Sequence, residues 1–415
     1  MAGRSLDWSA LLTFAAKLWV HPLVARWILE PSGSIGAFAP SEARKAFGLS
    51  TLAARARWTE YEQGLAAVLR SWSAAGVEPV FLKGAAHGLT LYPFGTRFLN
   101  DLDVWVEPTR FEEAARVLVA EGFQRWSVEG GNAEDNRRRL NGWTFSREGV
   151  GGVRRLVVDL HYRLHPEGSP FALDAASCAS EGGGLSFGGI PVRAFRPEDA
   201  VVHHATQMAT DFTVKLQTVA DLAALLGPRV VDAPHAAAST PWNQAFDFER
   251  LERRALEARA AGPVALALRW AEAIGCEVPL ATIARLERAA PGSSVATAVL
   301  LDLRALHPGF RLTGPASLAL SAWYRPPGRA RWSALRAVPS VVARRQRRGG
   351  HSTSVRALRI VRSIPLAAFA VSAAHASALS ARFSARGPVL LNRLLWWRAR
   401  APSGEPDPPV ARIDG

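Results

Sequence analysis

Apolar residues recur at helical spacing through Leu11, Leu12, Ala15, Leu18 and Trp19, and again through Tyr61, Leu65 and Leu69, so residues 1–76 are predicted to be helical. Pro31-Ser32-Gly33 punctuates the two runs. From Val77 the pattern shortens. Residues 79–82 predict a strand, 85–91 a helix and 101–106 a second strand, which together begin an α/β unit. A helix is expected from about Thr109, where Phe111, Ala114, Ala115, Leu118 and Val119 share a face and Gly122 supplies a stop signal. The polar stretch 129–139 reads as a mobile loop. Trp143 and Phe145 then predict a short strand, the alternation over 154–164 another, and Gly182-Gly183-Gly184 with 185–192 a small hairpin or edge element. Pro197-Glu198 opens a helical stretch that runs to about Leu303 and carries His203 and His204. The expected organisation is an N-terminal helical segment over 1–76, a sheet domain over 77–197, a helical domain over 198–303 and an arginine-rich, mostly helical region over 304–415.

Charge sharpens this division. Residues 303–400 hold eighteen arginines and neither lysine nor carboxylate, so against a formal net charge of +14 the rest of the chain stands at −4. The basic character therefore belongs to one segment. Its arginines, interleaved with Trp323, Trp332, Trp396 and Trp397, suit an anionic membrane surface or a nucleic acid. The uncharged stretch 363–381 is long enough to raise the question of a membrane span, but it is rich in Ala and Ser and holds Pro365 and His375, so no span is expected. Two distant cysteines, Cys178 and Cys276, suggest neither a disulfide framework nor a zinc site. With no secretory pattern at the N-terminus, a cytoplasmic protein is expected, with the basic segment allowing peripheral contact with a membrane.

The chemistry concentrates in three short motifs. On a strand, residues two apart point the same way, so Asp101 and Asp103 aim at one point while Leu102, Val104 and Val106 face the other side. The same alternation in Leu156-Val157-Val158-Asp159-Leu160-His161 places Asp159 and His161 together. Carboxylates brought together repel unless a cation lies between them, and oxygen-only ligands suit magnesium or manganese. Three converging acids suffice for ions that clamp a phosphoryl displacement. Ahead of them, Lys83-Gly84 closes one strand and opens a helix, where backbone N–H groups and the helix dipole favour an anion. Lys83 would be a point charge on a phosphate and Arg97 a planar donor.

The run Leu-Lys-Gly-Ala-Ala at 82–86, Leu-Tyr-Pro at 91–93, Arg97 followed by Asn-Asp-Leu-Asp-Val at 100–104, and Val-Asp-Leu-His-Tyr-Arg-Leu at 158–164 resembles a bacterial family of uncharacterised nucleotidyltransferases within the polymerase-beta-type superfamily. The match covers about residues 76–165, with support to about 228 from His203-His204 and Asp221-Leu222. The resemblance implies an α+β fold with a small mixed sheet flanked by helices, a nucleoside triphosphate substrate, magnesium, and metal-ligand roles for Asp101, Asp103 and Asp159. The chain departs from the wider superfamily in having Lys83-Gly84 where a Gly-Ser or Gly-Gly phosphate loop is usual.

The reading that follows is a metal-dependent nucleotidyltransferase acting on a hydroxyl of an unknown acceptor and releasing pyrophosphate. Asp101, Asp103 and Asp159 are its catalytic and metal-ligating residues, Lys83, Gly84, Arg97 and Lys215 its nucleotide-binding residues, and His161 supports the neighbouring acid. His203 and His204, adjacent on a helix, are not expected to face the site together, and one of them is a phosphate-side candidate. The alternative is a catalytically weak nucleotide- or polyanion-binding scaffold that acts through its basic C-terminal region. Transfer to an RNA terminus is a third reading, disfavoured because the basic charge lies far along the chain from the acids.

Overall fold

The computed structural model describes residues 6–30, 38–126, 141–149, 155–165, 169–211, 216–227 and 241–290, all within one compact unit, Met1–Ser294. The loop expected over 129–139, Lys215 and the arginine-rich region over 304–415 lie outside the described residues.

Helix α1 (Trp8–Lys17) starts at Asp7, whose side chain accepts from the Ala10 N–H at 2.9 Å. The predicted helical run through Trp19 stops earlier. Val20 N–H bonds back to the Ala15 carbonyl at 2.9 Å and Trp19 N–H to that of Ala16 at 3.0 Å, which turns Trp19 to a φ of 61°. Periodicity records which side of a helix is buried and is blind to this change of dihedral. Helix α2 (His21–Leu29) follows, with Pro22 in its first turn, where no intrahelical N–H is required. Ala25 and Ile28 of α2 pack with Phe47 of α3 (Ser41–Ala74) and with Trp8, Leu11 and Leu12.

Helix α3 is the spine of the fold. Beyond Phe47, which packs on α2, Ala54, Trp58, Tyr61, Leu65, Val68 and Trp72 recur every three or four residues and are all buried, forming one stripe along α3. At Gly64 the approach is close enough that a Cβ would stand 2.3 Å from Leu156 Cδ1. Polar tips along the stripe fix the loops and strands they meet. Trp58 Nε1 donates to Arg97 O at 2.7 Å, and Trp72 Nε1 to Ala114 O at 3.0 Å. The Tyr61 hydroxyl donates to Asn100 O at 2.8 Å and accepts from Val157 N–H at 3.1 Å.

After β1 (Val80–Phe81) come α4 (Lys83–Thr90), β2 (Leu102–Trp105), a 3-10 turn over Pro108–Arg110 and α5 (Phe111–Ala120). Strands β3 (Gln124–Arg125), β4 (Gly142–Glu148) and β5 (Arg155–His161) precede the short α6 (Ala175–Ser180) and the hairpin β6 (Gly183–Phe187) and β7 (Ile190–Ala194). The described strands form one seven-stranded sheet in the order β3-β4-β5-β2-β1-β7-β6. It is mixed, because β2 and β5 run parallel, as do β1 and β7, while the remaining pairs are antiparallel. The fold is α+β, a mixed sheet flanked by helices. The predicted hairpin forms one edge of this sheet, with β7 paired to β1 and β6 outermost.

Helix α7 (Pro197–Asp211) begins at the predicted residue and is followed by α8 (Leu216–Leu226), α9 (Phe248–Glu257), α10 (Ala261–Ala273) and α11 (Leu280–Ala289). Buried Asp199 holds α9 to α7 by accepting from Arg250 Nη2 at 2.9 Å and Arg254 Nε at 2.7 Å. None of the described helices is long and apolar enough to cross a membrane.

Candidate active site

Strands β2 and β5 pair in parallel with Asp103 opposite Asp159 and Trp105 opposite His161. Leu102, Val104, Val158 and Leu160 are all buried on the opposite face, so alternation leaves Asp103, Asp159 and His161 on one side of adjacent strands. Asp101 stands one residue ahead of the paired part of β2. All three acids and His161 line one cavity of about 370 Å³, to which α4 contributes Lys83 and Gly84, α7 contributes His203 and His204, and the loop before β2 contributes Arg97.

Asp103 is the hub. Its Oδ1 accepts from Lys83 Nζ at 3.0 Å and lies 3.1 Å from His161 Nε2, which donates to it. Burial alone would raise the Asp103 carboxyl, but the Lys83 ammonium and the His161 hydrogen bond outweigh burial and hold it well below the usual carboxylate range. Asp159 shows the opposite balance. Burial, and then the negative charge of Asp103, raise it above the usual range despite a hydrogen bond from Thr144, and its Oδ1 is buried without a hydrogen-bond partner. Two neighbouring acids are thus driven apart, one firmly ionised and one prone to hold a proton.

Lys83 begins α4 with a φ of 41°, the left-handed region that glycine takes most readily. The turn between β1 and α4 thus places its strain on the lysine, and the resulting geometry brings Nζ back over β2. Gly84 answers a different need, since a Cβ there would meet Arg97 Nη1 at 2.4 Å.

Arg97, expected to offer a free planar fork to a phosphate, has that fork engaged. Nε and Nη2 donate to the two oxygens of Asp221 at 2.9 and 2.7 Å, and Nη1 donates to Phe98 O at 3.3 Å. Tyr92 and His87 complete the surroundings of Asp221, with the Tyr92 hydroxyl donating at 3.0 Å and His87 Nδ1 lying 3.5 Å away. Burial would raise the Asp221 carboxyl, but the Arg97 charge dominates and holds it low. His87, His204 and Asp221 bring one ligand atom each within 4.8 Å of one another, a spacing open to a metal ion, although Asp221 is already neutralised by Arg97.

His203 and His204 both reach the cavity, contrary to expectation. Side chains adjacent on a helix diverge by about 100°, and a cavity this wide spans that angle. His204 faces His87 at a ring separation of 4.7 Å, while His203 faces His165 at 6.3 Å. Burial pushes all of these imidazoles down, His165 to about 4, and the Lys83 charge adds to the effect on His165 and His203. They are neutral near pH 7.

Residues 4–274, about two thirds of the chain, match the uncharacterised nucleotidyltransferase family. The chain belongs to this family. It is accordingly a transferase that moves nucleotidyl groups. An antigenic nucleotidyltransferase-like protein from Paracoccidioides brasiliensis, known from its crystal structure, is similar at 13% identity and a TM-score of 0.29, with 41% of this chain and 79% of that one covered, too slight a likeness to bear on the fold. No curated protein sequence matches the chain.

The cavity of this nucleotidyltransferase suits a divalent cation on its own chemistry. Three carboxylates, with Asn100 and Asn141 beside them, form an oxygen-rich donor set, and the orphaned Oδ1 of Asp159 lacks the partner that a cation would supply. Sequence reasoning missed His87, Tyr92, Asn141 and His165 as neighbours of the site. Leu91-Tyr92-Pro93 was visible as a motif, but nothing in its spacing pointed to Asp221.

Proposed function

We propose that this enzyme transfers a nucleotidyl group from a nucleoside triphosphate to a hydroxyl of an acceptor molecule. The observation that carries the reading is the in-register convergence of Asp103 and Asp159 beside Lys83 at the first turn of α4. The acceptor oxygen forms a bond to the α-phosphorus, the bond from that phosphorus to the bridging oxygen breaks, and pyrophosphate leaves with the electron pair. Asp159, whose carboxyl is raised, receives the acceptor's proton. Lys83 and the first N–H groups of α4 meet the terminal phosphates, and transfer of the ammonium from Asp103 to a phosphate frees that carboxylate. Asp101, Asp103 and Asp159 would hold magnesium or manganese, which when bound supplies Lewis-acid stabilisation of the phosphoryl charge. Arg97, paired with Asp221, holds the loop ahead of the acids in place rather than offering a mobile fork, and His161 keeps Asp103 oriented. Lys215 belongs to the proposal only through its place before α8 in the sequence.

The proposal includes a cytoplasmic setting in which residues 304–400 meet an anionic membrane surface or a nucleic acid, supported by the charge of that segment. The alternative of a nucleotide-binding scaffold is favoured by one observation, that Lys83 already neutralises Asp103.

Calorimetry with each common nucleoside triphosphate, with and without magnesium, tests the reading on wild type and on Asp101→Ala/Asp103→Ala. Binding that requires both metal and acids, with pyrophosphate released in the presence of an acceptor pool, is expected. Metal-dependent binding with no pyrophosphate from any pool decides for the scaffold, and no binding by wild type overturns both.

A further inference from the structure

The cavity extends well beyond its acids. His203, His204, Gln207 and Thr210 of α7 all line it, and the seven steps from His203 to Thr210 advance about 10 Å along the helix. His203 stands beside His165 in the acid-bearing part, with a ring separation of 6.3 Å. Lining residues from other elements include Trp19, Phe98, Gln217 and Thr218, none of them charged. Gln217 Nε2 donates to Phe98 O at 2.9 Å, while the Phe98 ring lies 6.3 Å from that of Trp19 at an interplanar angle of 50° and 5.0 Å from that of His21. These contacts join the turn after α1, the start of α2, α8 and the loop after Arg97 into one aromatic corner with amide and hydroxyl groups around it.

Trp19 is held there against its backbone preference. It occupies the position after α1 where the chain turns left-handed, a place glycine takes freely and a bulky side chain rarely does. Burial does not explain the choice, because Trp19 is only half-buried, whereas Val20 beside it is fully buried. An unfavourable dihedral kept at a cavity wall points to use of the side chain itself.

We infer that Trp19 and Phe98 form the subsite for the aromatic base of the nucleotide donor, with Gln207 and Thr210 positioned for hydrogen bonds to the base edge. The inference rests on the reading of the cavity as a nucleoside triphosphate site. Stacking supplies affinity without selecting among bases, because every base presents a π face, so selection falls to the polar groups.

The test is calorimetry on the full chain with manganese, using each common nucleoside triphosphate and, as a probe without base or sugar, inorganic tripolyphosphate. Trp19→Gly is expected to weaken nucleoside triphosphate binding about tenfold or more and to leave tripolyphosphate binding unchanged. Trp19→Phe keeps a ring and should restore most of the affinity. Should Trp19→Gly fail to fold, Trp19→Leu provides the comparison, with the same loss confined to the nucleoside ligands. Unchanged nucleoside affinity in Trp19→Gly or Trp19→Leu overturns the subsite, as does equal affinity of wild type for tripolyphosphate and the nucleoside triphosphates; in both cases the phosphate site survives. Failure of wild type to bind any of these ligands overturns the parent reading as well.

Discussion

Arg97 and Asp221, 124 residues apart in the chain, meet in a two-point ion pair with Nε to Oδ1 at 2.9 Å and Nη2 to Oδ2 at 2.7 Å. Both residues are buried, so the pair ties α8 to the loop ahead of Asp101 and Asp103. Removing one partner leaves a charge with neither water nor counterion. Asp221→Ala is expected to destabilise the protein by about 3–5 kcal/mol, a loss to be read from denaturant midpoints. Asp221→Asn, which keeps the shape and part of the hydrogen bonding, should lose less.

Asp159 should behave in the opposite way. Its carboxylate is raised by burial and by Asp103, and one of its oxygens is orphaned, so the fold bears a penalty at this position. Asp159→Asn removes the like-charge repulsion and is expected to hold or raise the melting temperature while lowering turnover by about 10²–10⁴-fold, the range for loss of a general base. A parallel fall in stability and turnover would assign Asp159 a structural role.

Gly84→Ala tests the packing of the ion pair. The added methyl would stand 2.4 Å from Arg97 Nη1, and that guanidinium is held in place by Asp221 and so has little freedom to withdraw. A destabilisation of about 1–3 kcal/mol is expected, together with weaker triphosphate binding. The Gly84→Ala/Asp221→Asn double variant should show less than the sum of the two losses, because the second change loosens what the first one strikes.

Acid should weaken the fold in two steps. His165, lowered from 6.5 to about 4, is neutral when folded and takes up a proton on unfolding, so its contribution is complete above pH 6.5 and lost as pH falls toward 4. At about 1.4 kcal/mol per pH unit, that contribution is at most about 3 kcal/mol, and His87, His203 and His204, also lowered, act in the same direction. Asp103 and Asp221, held low in the fold, add a second loss below their unfolded value of 3.8. Asp159 opposes them, since its raised carboxyl contributes stability below 3.8 that disappears as pH rises. Melting temperatures at pH 7, 5.5 and 4.5 check the first step, and His165→Phe should flatten part of it.

The parts of this arrangement that were legible in the sequence are the local ones. Strand alternation was enough to place Asp103, Asp159 and His161 on one face, because a period of two has a single reading once Leu102, Val104, Val158 and Leu160 mark the buried side. The Lys83-Gly84 turn was likewise visible, although the left-handed dihedral falls on the lysine and the glycine makes room for Arg97. What stayed hidden depends on distance along the chain. Nothing near Arg97 announces Asp221, so a buried arginine and a phosphate-binding one look alike in sequence. The pairing of His203 and His204 at one cavity depends on its width, and the turn at Trp19 on dihedrals that an apolar stripe does not encode.

The Tyr61 hydroxyl, placed between Asn100 O and Val157 N–H, acts as a gauge block for the two strands that carry the acids. It touches the chain one residue before Asp101 and two before Asp159, and it is mounted on the longest described helix. The separation of the acids is thereby set before any ligand arrives. On the inferred base subsite, accommodation of different nucleotide donors then falls to Trp19 and to the walls contributed by α7 and α8, which can vary while the acid-bearing strands keep their spacing.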